Sequence, residues 1–260
     1  MAARGRPQAM MPCIAPAWQW TVGARSAADP SDTIAGLRAV ILVHHLNNSR
    51  SQRVLWLLEE LGTPYEVKRY QRDAKTMLAP PELRAVHPLG KSPVITDDGM
   101  TLAESGAIIE HLAGKYGKES LVPTEGTQER MRYTYWMHFA EGTAMPPLLL
   151  KLLFDRIERA PLLVRPIARA IARQAKSTFI QPNIDRNLDF MEAELAKSEW
   201  FAGSRFSAAD VQMSFPLEAA AARGGLTQAR PKLWAFLERI HARPAYQRAL
   251  EKGGKYELLR

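Results

Sequence analysis

The spacing of apolar positions changes several times between residues 39 and 118, and each change marks an element. Val40-Ile41-Leu42-Val43 is an unbroken apolar run rich in β-branched side chains, which predicts a buried strand beginning at Ala39. A polar knot from His44 to Ser51 follows it. Val54, Leu55, Leu57, Leu58 and Leu61 then recur with a helical period, and Gly62 with Pro64 stops that helix. Tyr65 to Tyr70 reads as a second strand. Residues 73–88 are irregular or weakly helical, with Pro80-Pro81 opening a short turn of helix. Pro93-Val94-Ile95-Thr96 is a third strand, Asp97-Asp98-Gly99 a hairpin turn, and Thr101-Leu102 the start of a fourth strand. Ile108, Ile109, Leu112 and Tyr116 mark a helix ended by Gly114 and Gly117.

A βα unit followed by an antiparallel hairpin and a covering helix is a thioredoxin-like layout, so residues 39–118 form an α/β domain. Residues 119–127 read as a linker, and 128–260 as an all-helical domain with helices at 128–155, 162–177, 178–197, 208–222, 230–241 and 244–252. Ser207-Ala-Ala-Asp210 resembles a capping box, with Asp in place of Glu. Pro231 and Pro244 stand where a first helical turn tolerates proline. Pro146-Pro147 should kink or end the first helix of this half. Residues 1–38, with four prolines and little periodicity, read as a disordered extension.

At 260 residues the chain has room for two ordinary domains, and no apolar run approaches the ~18 residues that span a bilayer. The single Cys13 excludes an intrachain disulfide and Cys-x-x-Cys chemistry, and it fits the reducing cytoplasm. Any redox thiol must therefore come from a ligand. The net charge of +8 raises the question of nucleic acid, but the excess is localised. Residues 151–176 carry seven basic side chains against Asp155 and Glu158. Arg165, Arg169 and Arg173 recur every four residues and would form one helical stripe. A solvated helix face is the first explanation of that stripe; an anionic ligand or peripheral contact with an acidic membrane surface is the sharper alternative. Aromatic interleaving is missing, which argues against nucleic acid.

The candidate chemistry lies at three junctions of the α/β domain. Ser49 stands where the first strand hands over to the first helix. As a structural residue it would open a capping box with Gln52. As a functional one it would donate to a thiolate that the helix N-terminus also favours. Arg50 and Arg53 are further candidates for supporting such an anion, although Arg53 fits a residue covering the helix face. Ser92-Pro93 precedes the third strand, where a cis proline would present the Ser92 backbone to an extended peptide. Lys91 beside it can meet a carboxylate; a plain proline turn with an exposed lysine is the alternative. Glu104-Ser105 opens the second long helix, where Ser105 as cap and the free N–H groups can hold a carboxylate and Glu104 an ammonium. Together these outline a site for a small peptide with a thiol and two carboxylates. Gly90-Lys91-Ser92 is not a phosphate loop, since Ala85 stands where glycine is required. The six histidines lack metal-ligand spacing, and no metal is expected.

Ser49-Arg50-Ser51-Gln52-Arg53, His87-Pro88-Leu89-Gly90-Lys91-Ser92-Pro93, Leu102-Ala103-Glu104-Ser105 and Gly203-x-x-x-Ser207-x-x-Asp210 together resemble the cytosolic glutathione transferase superfamily, in its bacterial and fungal branch with a catalytic-position serine. The resemblance covers roughly residues 39–250. It implies the glutathione transferase fold, a homodimer, and glutathione as co-substrate with a small electrophile. It implies that Ser49 stabilises the glutathione thiolate, that Lys91 lies near the glycyl carboxylate and Ser92 against the cysteinyl backbone, and that Glu104 and Ser105 hold the γ-glutamyl end. A second-substrate pocket would lie beside Tyr133, Trp136, Met137 and Ala140, residues whose helical spacing also suits a core. Two rivals stay open: glutathione-dependent reduction of peroxides or disulfides, and a non-catalytic binding module.

Overall fold

In a computed structural model describing residues 40–73, 76, 78–117, 120–256 and 258, the first apolar run becomes strand β1, Ile41–Leu46. The extension at 1–38, with Cys13, lies outside the described residues. Helix α1 (Ser51–Leu61), strand β2 (Tyr65–Tyr70), helix α2 (Pro81–Val86), strands β3 (Val94–Asp97) and β4 (Met100–Ala103), and helix α3 (Ser105–Tyr116) follow in the expected order. The sheet runs β2-β1-β3-β4, with β1 and β2 parallel and the other pairs antiparallel. Asp98 and Gly99 both take positive φ, 48° and 79°, as a two-residue type I′ hairpin requires.

Register decides where the site falls. His44 pairs with Val94, and Val94 with Ala103. The exit of β1, the entrance of β3 and the exit of β4 therefore lie side by side at one end of the sheet. Both long helices of this half start from that end.

Helix α1 is the hinge of the packing. Val54, Leu55, Trp56, Leu57 and Leu58 are all fully buried, so the middle of the helix is enclosed on every side, although Gln52, Arg53, Glu59 and Glu60 give it one polar face. It lies between the sheet and the helical half, touching α3 and the helices at Ala208–Ala219 and Pro244–Gly253, and the Trp56 ring meets Tyr246 edge-on at 5.1 Å. Each such side chain contributes ~1.5–3 kcal/mol by leaving water.

The helical half consists of α4 (Gln128–Phe139), α5 (Met145–Ile157), α6 (Arg165–Ala175), α7 (Gln181–Leu195), α8 (Ala208–Ala219), α9 (Pro231–His241) and α10 (Pro244–Gly253). The expected break at Pro146-Pro147 is a change of pitch. A π-helical turn, Ala140–Ala144, joins α4 directly to α5, and the prolines fall in the first turn of α5, where a missing N–H is tolerated. A second π turn, Lys176–Ile180, merges the two helices expected at 162–177 and 178–197 into one run from Arg165 to Leu195, ahead of Pro182. The capping box forms at the start of α8. Asp210 accepts from the Ser207 backbone N–H at 2.8 Å, from its hydroxyl at 3.0 Å and from the Phe201 N–H at 2.9 Å.

Candidate active site

The β1–α1 junction places Ser49 at the sheet end just described. Asn48 takes a left-handed conformation, φ 50°, which asparagine tolerates better than most residues and which turns the chain before the helix begins. The turn moves the helix start one residue later than the capping-box reading requires. Arg50 is the N-cap residue and Ser49 lies just outside it. The capping box with Gln52 does not form. Instead the Ser49 carbonyl accepts from the Gln52 N–H at 3.3 Å, and its hydroxyl accepts from the Ser51 N–H at 3.3 Å. The Gln52 side chain is buried against Gly253 at the end of α10.

Around Ser49 the side chains form a chain of polar contacts. Ser49 Oγ lies 2.6 Å from Ser51 Oγ, which lies 2.9 Å from His45 Nδ1. On its other side Ser49 donates to Ser92 Oγ at 3.2 Å. Ser92 donates to the His44 carbonyl at 3.1 Å, so towards Ser49 it can only accept. The single proton of Ser49 thus has two acceptors in reach, Ser51 Oγ at 2.6 Å and Ser92 Oγ at 3.2 Å, while the neighbouring backbone N–H supports its oxygen. A thiolate is a stronger acceptor than a hydroxyl and can take that proton over. Burial, and then the positive charge of Arg69, lower His45 to about 4, so its ring is neutral at neutral pH. Burial, and then Lys68, also lower His44, whose ring bonds Tyr70 at 2.9 Å and Thr96 at 3.3 Å.

The expected cis bond is present at Ser92-Pro93. The β3 ladder begins one residue later, at Val94, and Lys91 is exposed just before the junction. The Ser92 side chain ties the exit of β1 to this junction, accepting from the Leu46 N–H at 3.4 Å and donating to the His44 carbonyl. Glu104 corrects another expectation: it is itself the N-cap residue of α3, exposed, with φ 71°, and Ser105 is the first helical residue, buried. A side chain forced into positive φ is uncommon and costs of order 1–3 kcal/mol, and such residues cluster at functional sites.

Arg53 does not cover an exposed helix face. It is 2% exposed, donates to the Gln212 carbonyl at 2.6 Å and to Glu141, and lies over the Phe215 ring at 5.4 Å. Arg50, half-buried, meets the same Glu141 oxygen at 3.2 Å and the same ring at 5.1 Å. Burial works to raise the Glu141 carboxyl, but the attraction of Arg53 and then Arg50 outweighs it and holds the group below its ordinary value. Glu141 stands in the π turn after α4, so this cluster joins the two halves beside Ser49.

Tyr133, Trp136, Met137 and Ala140 are all buried in the core, Trp136 among Tyr135, Phe139, Phe190 and Phe201. The Tyr133 hydroxyl has no hydrogen-bond partner among the described residues.

The residues that sequence reasoning missed are His45, Ser51 and Glu141. Ser51 carried a signal, as the second serine of the Ser-Arg-Ser motif. Glu141 carried none.

A mixed four-stranded sheet with a buried first helix, a cis-proline junction and two helix starts at one sheet end, backed by a helical half, defines a thioredoxin-like domain joined to an all-helical one. The profile of the glutathione S-transferase N-terminal domain matches residues 38–114, and that of the C-terminal domain matches 151–239. Glutathione S-transferase 3 of Schizosaccharomyces pombe is 42% identical over 216 residues, covering 82% of this chain and 88% of that protein. Glutathione S-transferase 1 of Saccharomyces cerevisiae is 30% identical over 223 residues, 82% of this chain and 95% of that one. Among solved structures, a glutathione S-transferase from Actinobacillus pleuropneumoniae superposes with a TM-score of 0.69 at 33% identity, over 85% of this chain and 96% of that one. A sphingomonad glutathione S-transferase complexed with glutathione gives 0.63 at 25% identity, over 82% and 98%. The chain belongs to the glutathione S-transferase family. It is a glutathione transferase with the fold expected of one.

Proposed function

We propose that this transferase uses the thiolate of glutathione to attack a small, largely apolar electrophile, with Ser49 as the residue that stabilises the thiolate. The observation carrying this reading is the Ser49 hydroxyl at the start of α1, supported by the Ser51 N–H and flanked by Ser51 Oγ at 2.6 Å and Ser92 Oγ at 3.2 Å. A free thiol has a pKa of ~8.5, and a donor at a helix N-terminus lowers it. The thiol proton passes to water, the sulfur bonds to the electrophilic carbon, and the leaving group departs with its electron pair. Proximity of the two substrates supplies the rest.

Around the sulfur, Lys91 pairs with the glycyl carboxylate. The Ser92 backbone, presented by Pro93, pairs with the cysteinyl residue. Glu104 accepts from the γ-glutamyl ammonium, and Ser105 with the open N–H groups of α3 holds its carboxylate. Arg50 adds positive charge, reduced by its pairing with Glu141. The electrophile lies beside α4, where Tyr133, Trp136, Met137 and Ala140 form an apolar backing. The two domains, 39–118 and 128–260, act as a unit within a cytoplasmic homodimer.

The test is conjugation of glutathione to an activated aryl chloride by the wild type and by Ser49→Ala. The expected result is a fall in kcat/KM of about 10- to 100-fold, the loss of one hydrogen bond to a charged group. Equal rates would remove Ser49 from the mechanism.

A further inference from the structure

Two observations on the α5–α6 hairpin stand apart from the site. The first is charge. Both acids of residues 151–176 are already paired, since Lys176 lies 2.8 Å from Asp155 and 2.9 Å from Glu158, and Lys151 lies 3.8 Å from Asp155. Arg156, Arg159, Arg165, Arg169 and Arg173 make no ion pair among the described residues. Arg165 and Arg173 each donate once to a carbonyl, of Ala160 at 2.9 Å and of Arg169 at 3.3 Å, and neither meets a carboxylate.

The second is apolar exposure in the same place. Leu162, Leu163 and Val164, in the turn that leads into α6, are 77%, 96% and 52% exposed. On the helix itself Ile167 and Ile171 are 68% and 57% exposed, while Ala172 is buried in the core and fixes which face looks outward. Single exposed leucines are ordinary, but a contiguous branched apolar patch on a tip is not. Its surroundings narrow what can cover it. The cover must be apolar where the tip enters and anionic where the arginines lie. A second copy docking through the same face would set these arginines against each other. Single-stranded nucleic acid needs stacking partners, and no aromatic side chain stands between residues 155 and 178. An acidic lipid surface meets both requirements, because an interfacial helix buries branched side chains among the headgroups while its basic side chains meet lipid anions.

We propose that the tip Leu162-Leu163-Val164 and the outward face of α6 dock peripherally on an anionic lipid surface, with Arg159, Arg165, Arg169 and Arg173 meeting the headgroups. This goes beyond the conjugation reaction and does not depend on it. Among the described residues no helix is long and apolar enough to cross a membrane, so the contact is with the surface.

The experiment is sedimentation of the full chain with vesicles of phosphatidylcholine alone or mixed with phosphatidylserine, at low and high salt. Binding is expected to the mixed vesicles only, and to weaken with salt. Replacing Arg165, Arg169 and Arg173 by glutamine should lower the partition coefficient roughly five-fold per arginine. Leu163→Asp should also reduce it, and both variants should retain conjugation activity as proof of folding. No sedimentation at low salt would overturn the proposal, as would equal binding to neutral vesicles. So would self-association abolished by Leu163→Asp without vesicle binding, because a second copy would then own this face.

Discussion

Removing Glu141 should destabilise the protein more than removing either arginine it serves. Arg53 is fully buried, and its counter-charge is Glu141; Arg50 shares that carboxylate at 3.2 Å. Glu141→Ala leaves a buried guanidinium uncompensated, a situation that costs ~3–5 kcal/mol. The Glu141 side chain is itself 34% exposed, so water reaches the pair and the expected loss lies near the bottom of that range, about 3 kcal/mol. Arg53→Met behaves differently. It removes the desolvated charge, keeps most of the volume over Phe215 and leaves Glu141 paired with Arg50. The loss is then the charge-assisted bond to the Gln212 carbonyl, about 1.5 kcal/mol. Once Arg53 is gone, losing Glu141 as well strands nothing buried. The double variant should therefore resemble Arg53→Met, with a coupling energy of about 2–3 kcal/mol. Urea unfolding followed by tryptophan fluorescence and by circular dichroism gives all three values. Additive losses, or a Glu141→Ala loss below about 1 kcal/mol, would refute the idea that this carboxylate neutralises the junction of the two halves.

Three further outcomes follow from particular contacts. His45 is held at about 4 against an ordinary 6.5, so between those pH values the unfolded chain binds a proton that the folded one does not. Stability therefore rises with pH across that window, by about 3 kcal/mol in all, and is lost as pH falls through 4. His45→Asn should flatten this acid limb in unfolding measurements taken from pH 7 down to 4, and an unchanged slope would contradict the assignment. Some slope should persist, because His44 is lowered for the same reason. Asp210→Ala orphans two buried N–H groups and a hydroxyl, and a loss of about 3 kcal/mol is expected in urea unfolding; a loss under about 1 kcal/mol would show the cap to be dispensable. Glu104→Gly relieves a positive φ and should gain about 1 kcal/mol of stability while raising the KM for glutathione; a variant no more stable than the wild type would mean the conformation is not strained.

The elements visible in the sequence are those with one dominant period or an unambiguous breaker. β2 falls at Tyr65–Tyr70 as expected, and Gly62, in a left-handed conformation, ends α1 where its neighbours predicted. The prolines at 231 and 244 and the Ser207–Asp210 box are local chemistry and were equally readable. What escaped is long-range or a matter of pitch. A π turn adds one residue to a helical run without disturbing its apolar pattern enough to be seen, so the joins at Ala140–Ala144 and Lys176–Ile180 were hidden. Glu141 reaches Arg53 across 88 positions, and no spacing rule connects them. At Ser49 the residue was legible but its geometry was not. The left-handed Asn48 sets where α1 begins, and that shift takes Ser49 out of the cap and into the chain linking His45, Ser51 and Ser92.

The central claim is that Ser49 stabilises a bound thiolate. Ultraviolet thiolate absorbance of glutathione, titrated from acid to alkaline pH with saturating wild-type protein and with Ser49→Ala, tests it most directly. The account predicts ionisation at least one unit below the free value of ~8.5 in the wild type, and a return of about 1–2 units towards that value in the variant. Superimposable titrations of the two proteins, whether shifted or not, would contradict it.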